Sequence, residues 1–453
     1  MTIAAASAGE VRATLFGHPR GVATIAATEL WDRISFHGMQ ALLVLYMVGA
    51  LLKPGHIEHV VGYGAVRGAL EAVRGNLSIK AIATQIFGLY IGLVNLTPIL
   101  GGALGDRLLG RRRAVVLGGS LMAAGHFCMA FDQSFFLALL LLIFGAGIFR
   151  GNLAPQLGEL YERGDRRRAA AFQIYGSAVN LGAFVSPLIT GELQKDISWH
   201  AGFAFAGFGM LVGLVIYLVG QRDLPAERVS ASQAQLPPLS RRDWHAIAVL
   251  LSLVPIASLF WIAQSQIWNT YNIWVGDHVQ LQYGSWTMPV PWLQSLDGLA
   301  PFVFVPPVLM FWRWQRRRGR EPDEFGKMAT GCFIFASATL LLAVAQFVPT
   351  ASGRALIVFP ILFHLVSNVG WLFFAPTATS LYSRAAPAQV NATMIGLYYF
   401  AVALGSTVSG WFGGLYERVS PASFWTLHAG LCALGGVLLL AAGWAIRRSR
   451  VFD

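Results

Sequence analysis

The stretch ELWDRISFHGMQALLVLYM, residues 29–47, sets Glu29, Asp32, Arg33 and His37 just ahead of an apolar run from Ala41 to Met47. At 100° per residue, positions 29, 32, 33, 36 and 37 of a helix fall within about 140° of one another. A helix crossing a membrane needs about 20 residues that tolerate an apolar setting. Counting back from Met47 reaches Thr28, so the charges lie inside the span rather than on its flank. An isolated charge at the bilayer centre costs ~2.5–3.5 kcal/mol or more, which directs such residues to a polar cavity or an ion pathway.

The rest of the chain has the composition of a membrane protein. It is 55% hydrophobic and 12% charged, with mean hydropathy +0.57, where a soluble domain carries about 25% charged residues. Forty-nine glycines suit closely packed membrane helices. Cys128, Cys332 and Cys432 sit in apolar segments at no metal-ligand spacing and read as buried small residues, with no disulfide and no metal site expected. Residues 1–20 lack the apolar core of a cleavable signal peptide.

Twelve apolar spans start near residues 22, 81, 112, 134, 168, 200, 244, 291, 325, 354, 390 and 422. With both termini cytoplasmic, the inner connections are 107–113, 158–168, 221–243, 313–327 and 384–389. They hold Arg107 with Arg111 to Arg113, Arg163 with Arg166 to Arg168, Arg241 with Arg242, and Arg316 to Arg318. Of the 33 lysines and arginines, 24 fall on this side, two lie in spans and seven lie opposite. The asymmetry assigns the net charge of +11 to topology rather than nucleic acid. It predicts a multi-pass protein of the plasma (inner) membrane. The outer segment 51–80 is expected to carry a short surface helix around Gly68 to Arg74.

The Pro-, Ser- and Gln-containing stretch 222–243 reads as a linker between six-helix bundles at 22–221 and 244–447, with tails at 1–21 and 448–453. An all-α membrane protein of two six-helix halves resembles the major facilitator superfamily. The segment GGALGDRLLGRRRAVVLGG, residues 101–119, strongly resembles that superfamily's inner-loop signature. Its glycines permit a tight turn, Asp106 can accept from neighbouring arginines or a helix N-terminus, and Arg111 to Arg113 stay wet, with Asp106, Arg107 and Arg111 forming a conformational latch. A merely basic turn would not require Gly105, Asp106, Arg107 and Gly110 together.

Closer in, the chain is similar to the proton-dependent oligopeptide transporter family. Glu29, Asp32, Arg33, Gly38, Met39 and Ala41 stand in register with that family's span-1 motif, E-x-x-E-R-F-x-Y-Y-G-M-R-A. Thr97-Pro98 and Gly101-Gly102 in span 2 continue the likeness. Gly145, Gly147, Gly151, Asn152 and Gly158 do so in span 4, and Asn180, Gly182, Ala183 and Pro187 in span 5. The likeness covers essentially the whole membrane portion and is looser in the second half. The resemblance implies a proton-coupled transporter working by alternating access, with no cofactor beyond the proton gradient.

The departures bear on the solute. The family's span-4 lysine is Arg150 here, which keeps the charge but does not readily release a proton. Its glutamates of spans 7 and 10 align with Ser265 and Trp371, and its site tyrosines of spans 2 and 5 with Asn95 and Gly176. Asp297 aligns with an asparagine in span 8, with Gly298 in place of the following proline. An intramembrane aspartate is a functional candidate by default; its structural alternative is pairing with water or with Gln294. Trp268 and Trp371 are candidates for site walls, while Trp274 and Trp292 are expected in the interfacial belt. His126 and His364 read as packed helix residues.

Charge accounting yields a mechanism. Arg33 and Arg150 form a positive pair able to hold an anion, and Glu29 and Asp32 neutralise Arg33 when the site is empty. Protonating one acid couples proton entry to anion binding. Proton coupling is therefore assigned to Glu29, Asp32 and Arg33. Substrate contacts fall to Arg33, His37, Asn95, Arg150, Asn180, Ser265, Trp268, Gln294, Asp297 and Trp371. The expected partners are an anionic or zwitterionic small molecule, protons and the bilayer, the protein being a monomer with no nucleic-acid partner. Di- or tripeptides and peptide-like compounds come first. A non-peptide anion lacking a free amine, moved in either direction, and a non-transporting membrane sensor are the alternatives. No zincin, nucleophile-elbow or phosphate-loop pattern suggests an enzyme.

Overall fold

The computed structural model describes residues 14–162, 164–225 and 238–449. The tail residues 1–13, Arg163, the linker residues 226–237 and residues 450–453 lie outside it. The fold is nearly all helix. In the N-terminal half these are α1 (Gly21–Tyr46), the short α2 (Tyr63–Arg74), α3 (Ile79–Leu104), α4 (Arg111–Cys128), α5 (Phe135–Glu159), α6 (Arg167–Asp196) and α7 (Trp199–Gly220). The C-terminal half has α8 (Arg241–Ser265), the short α9 (Thr270–His278), α10 (Ser295–Arg317), α11 (Glu324–Val344), α12 (Val358–Ala385), α13 (Asn391–Gly413) and α14 (Pro421–Ser449).

Eleven described helices are long and apolar enough to cross a membrane. Helix α4 is not among them: it is 18 residues long and opens with three arginines that stay at the basic end. It occupies the place of the expected third span, packed against α5 and α7. The surface helix is longer than expected, running from Tyr63. The expected seventh span is broken: α8 passes through a tight turn at Gln266–Trp268 and restarts as α9 after Asn269. Side chains occupy freed carbonyls there, Gln294 Nε2 donating to Ile267 O at 2.7 Å and Asn272 Nδ2 to Trp268 O at 3.3 Å. Backbone departs from helix at membrane depth only where protein replaces water as hydrogen-bond partner.

Ion pairs tie each half together at the arginine-rich end. Arg111 bridges Asp106 (2.8 Å) and Glu159 (2.5 Å), clamping the α3–α4 turn to α5. Arg384 pairs with Glu324, and Arg447 with Asp323, within the C-terminal half. The expected latch thus joins elements of one half, with Arg107 exposed beside it.

The halves meet closely toward the opposite end. Lys80 Nζ reaches Asp277 Oδ2 at 2.8 Å, Ser78 donates to Glu417, and Trp292 Nε1 donates to Leu188 O at 3.0 Å. Glycines make this approach possible between α3 and α13, where a Cβ on Gly410 would stand 2.6 Å from Thr84 O and 3.1 Å from Gly88 Cα. One tryptophan expectation is corrected here. Trp274 is fully buried against Tyr271 and Trp425, because the break before α9 turns it into the C-terminal core. Trp292 is half-buried between the halves, beside Gly191. Cys332 and Cys432 are buried as expected, whereas Cys128 is half-buried.

The glycine contact outweighs the ion pair as a closing force. Lys80 and Asp277 are 28% and 42% exposed, and such pairs contribute about 0–1 kcal/mol. Gly410→Val should destabilise the purified protein by about 1–3 kcal/mol through overpacking, and Lys80→Ala by under ~1 kcal/mol. Thermal unfolding of both variants checks the order; a larger loss in Lys80→Ala would refute it.

Candidate functional site

Helix α1 delivers the charges of its 29–37 face into the bundle. Glu29 and Asp32 are fully buried. Arg33 Nε donates to Glu29 Oε1 at 2.6 Å, one helical turn back, and lies 3.6 Å from Asp32 Oδ2. From α5, Arg150 Nε donates to Asp32 Oδ2 at 3.1 Å, and its Nη2 to Oδ1 at 3.4 Å. The guanidinium of Arg150 also lies 4.1 Å above the Phe36 ring, a cation–π contact. Gly182 of α6 makes room for this arrangement, since a Cβ there would come within 2.6 Å of Arg33 Cβ. Two carboxylates therefore sit behind two guanidiniums that remain 18% and 12% exposed.

Those guanidiniums border a cavity of about 380 Å³ between the halves, within the ~300–1,000 Å³ of small-molecule sites. The N-terminal half contributes Arg33, His37 and Gln40 from α1, Asn95 from α3 and Arg150 from α5. The C-terminal half contributes Trp261 and Ser265 from α8, Trp268, Trp371 from α12, and Tyr398, Tyr399 and Ser406 from α13. Ser265 Oγ and Ser406 Oγ share a hydrogen bond of 2.9 Å across α8 and α13. His37 stands between Phe36 and Trp268, ring centroids 5.2 and 5.3 Å away. His37 Nδ1, Gln40 Oε1 and Trp261 Nε1 are buried without a hydrogen-bond partner among the described residues. One wall is cationic and the other aromatic. Among the described residues no carboxylate lines the cavity directly.

Of the residues singled out in the sequence, Arg33, His37, Asn95, Arg150, Ser265, Trp268 and Trp371 come together at this cavity, with Glu29 and Asp32 behind the arginines. Three stand elsewhere. Asn180 packs its backbone carbonyl against Gly298 where α6 meets α10. Gln294 is fully buried and donates to Ile267 O and Asn272 Oδ1. Asp297 accepts from His364 Nδ1 at 2.8 Å and Asn368 Nδ2 at 2.7 Å, outside the cavity lining. His364 is thus a packed residue with a charged partner, not a merely apolar one.

Sequence reasoning missed Gln40, Trp261, Tyr398, Tyr399 and Ser406. A signal existed for the last two: Tyr399, Val402 and Ser406 follow a helical row at steps of three and four, all on the cavity. Trp261 and Gln40 carried no such mark, because both resemble ordinary lining of an apolar helix.

The charge cluster has a checkable consequence. Glu29 has Arg33 as its ion-pair partner among the described residues, whereas Asp32 is within reach of both arginines. Arg33→Ala leaves a buried acid uncompensated, so it should cost about 3–5 kcal/mol of stability at neutral pH, more than Arg150→Ala. Thermal unfolding of the two variants tests this, and a loss in Arg150→Ala equal to or larger than that in Arg33→Ala would refute the arrangement.

Comparisons with known proteins agree on the lineage. A family profile described as "POT family" matches residues 112–234 and 240–426. The chain is 26% identical to "Uncharacterized transporter YclF" of Bacillus subtilis (strain 168), the alignment covering 94% of each chain. It is 25% identical to "Peptide transporter YePEPT" of Yersinia enterocolitica, again over 94% of each. It is also 24% identical to a "Di-/tripeptide transporter" of Lactococcus lactis, over 94% of this chain and 95% of that one. Among solved structures, a mutant of peptide transporter POT in complex with alafosfalin superposes with a TM-score of 0.83. That pair is 24% identical, with 98% of this chain and 97% of the other covered. The family and the all-helical transporter fold expected from the sequence are thereby borne out.

Proposed function

The chain belongs to the POT family, and from that premise we propose that it is a proton-coupled symporter of a small carboxylate-bearing solute, working by alternating access. The observation that carries this reading is the pairing of two buried acids with two cavity-facing arginines. With all four groups ionised the cluster is neutral. A proton on Glu29 or Asp32 leaves it with one net positive charge, turned toward the cavity. A carboxylate then replaces the lost counter-charge, and Arg33 offers a fork suited to bidentate contact. Proton and anion each bind better in the presence of the other, which is a coupling free energy by linkage.

Peptides and peptide-like compounds are the first candidates, supported by the peptide-transporter names of the relatives. The second reading, a solute without a free amine, draws on a separate observation. The cavity's C-terminal wall holds tryptophans, tyrosines and serines with no acid to meet an ammonium. An N-acylated or otherwise blocked amino-acid compound would meet that wall at lower desolvation cost. The arginine-rich end is read as cytoplasmic by the positive-inside rule, in a plasma-membrane protein that acts without cofactor and without chemistry on its solute.

Uptake of dialanine or N-acetyl-dialanine into proteoliposomes should follow an inward proton gradient, and Glu29→Gln should bring gradient-driven uptake to background while sparing counterflow. Uptake indifferent to protonophore would refute symport. Arg33→Lys, which keeps Glu29 paired, should weaken solute binding but less than the 2–5 kcal/mol expected when a charge partner is removed outright. Stabilisation by N-acetyl-dialanine exceeding that by dialanine, in a thermal-shift measurement, favours the amine-free reading; the reverse order excludes it.

A further inference from the structure

Asp297 is eight residues into the apolar span Val290–Arg317, and its ion-pair partner among the described residues is His364. His364 Nδ1 and Asn368 Nδ2 both donate to Asp297 Oδ1. Since the carboxylate accepts, Nδ1 carries the hydrogen and Nε2 is left as an acceptor. That nitrogen is buried without a hydrogen-bond partner among the described residues, its ring packed on Tyr271 at 5.1 Å and Phe363 at 5.4 Å between centroids. The Asp297 side chain is 15% exposed, and that of His364 is fully buried. The next residue, Gly298, presses against α6 so closely that a Cβ would overlap Phe184 N and stand 2.6 Å from Asn180 O. The pair therefore borders a contact between the two halves.

The surroundings are almost free of other charge. Helix α6 presents Asn180, Ala183 and Phe184 at this contact, α9 presents Tyr271, α12 adds Asn368, and Gln294 is bonded to Ile267 and Asn272. Tyr271 is the other titratable group facing the pair.

We propose that Asp297 and His364 together bind one proton, on His364 Nε2, and that this proton stabilises the closed packing of α10 on α6. One N–H bond forms and no other covalent bond changes. Without the proton, a carboxylate and a neutral imidazole leave one net negative charge in a closed interface. With it, carboxylate and imidazolium sum to zero. An uncompensated buried charge favours whichever packing lets water reach it, so the unprotonated pair favours separation of α10 from α6. This gives the C-terminal half a protonatable site although Ser265 and Trp371 occupy the positions where the sequence resemblance implies acids. The proposal rests on the alternating-access reading and is independent of Glu29 and Asp32.

Hydrogen–deuterium exchange of the unliganded full chain in nanodiscs, at pH 5 and pH 8 and corrected for intrinsic rates, tests it. Peptides spanning 180–190 and 292–302 should exchange roughly tenfold more slowly at pH 5 in the wild type. Asp297→Asn and His364→Gln, both uncharged and able to hydrogen-bond, should each remove that difference, while Glu29→Gln retains it. A wild type without the difference, or one whose difference survives both substitutions, overturns the proposal. So does its loss in Glu29→Gln, which would place the proton at the N-terminal cluster. Protonophore-insensitive uptake alongside the expected exchange pattern would refute symport and leave this site standing.

Discussion

Four charges held between apolar helices set the terms for the N-terminal half. Glu29 and Asp32 are fully buried, a position neither could hold as a carboxylate without a cation against it. Arg33 is supplied by the same helix, one turn along. Arg150 must come from α5, so the Asp32–Arg150 contact fixes how α5 lies on α1. The packing around the cluster follows from this need. Gly182 leaves space for the Arg33 stem, and Gly38 allows α6 to approach through Ser186 and Thr190. An arginine at position 150 fits the same logic: its planar fork reaches both Asp32 oxygens while its face covers Phe36.

The two halves then divide the labour unequally. The N-terminal wall of the cavity carries the fixed positive groups, and the C-terminal wall carries aromatic area with a few hydroxyls. A solute spanning the two would be held by charge at one end and by apolar contact at the other. Asp297, an acid inside a span of the C-terminal half, is turned away from this wall, toward His364 and Asn368. Its place beside the α6–α10 contact makes it better suited to sensing how the halves pack than to holding a ligand.

Closure at the arginine-poor end depends on shape more than on charge. The backbones of α3 and α13 touch through Gly88 and Gly410, and those of α6 and α10 through Gly298. Such contacts are all-or-none, because a packed interface is bistable rather than continuously deformable. The ion pairs Arg111–Glu159, Arg384–Glu324 and Arg447–Asp323 each lie within one half. They join neighbouring helices of one bundle and do not cross between the halves.

Much of this was legible in the chain because it is periodic. Apolar runs of membrane length, arginines gathered on one side, and charges spaced along one helical face all repeat at intervals fixed by backbone geometry. They placed the helices, the halves and the span-1 cluster of Glu29, Asp32 and Arg33 without reference to any partner. The partners themselves were decided by the tertiary structure. Nothing local to Asp297 indicates that His364, 67 residues away, donates to it. The segment around Trp274 reads as an interfacial edge until the break at Asn269 turns it inward. Nor does the sequence alone mark Gly298 as the point where α6 lies against α10. Hydrophobic period and charge bias act through the surrounding membrane and the helix itself, so the sequence determines them; hydrogen-bond partners and interhelical contacts depend on which helices become neighbours, so only the folded bundle decides them.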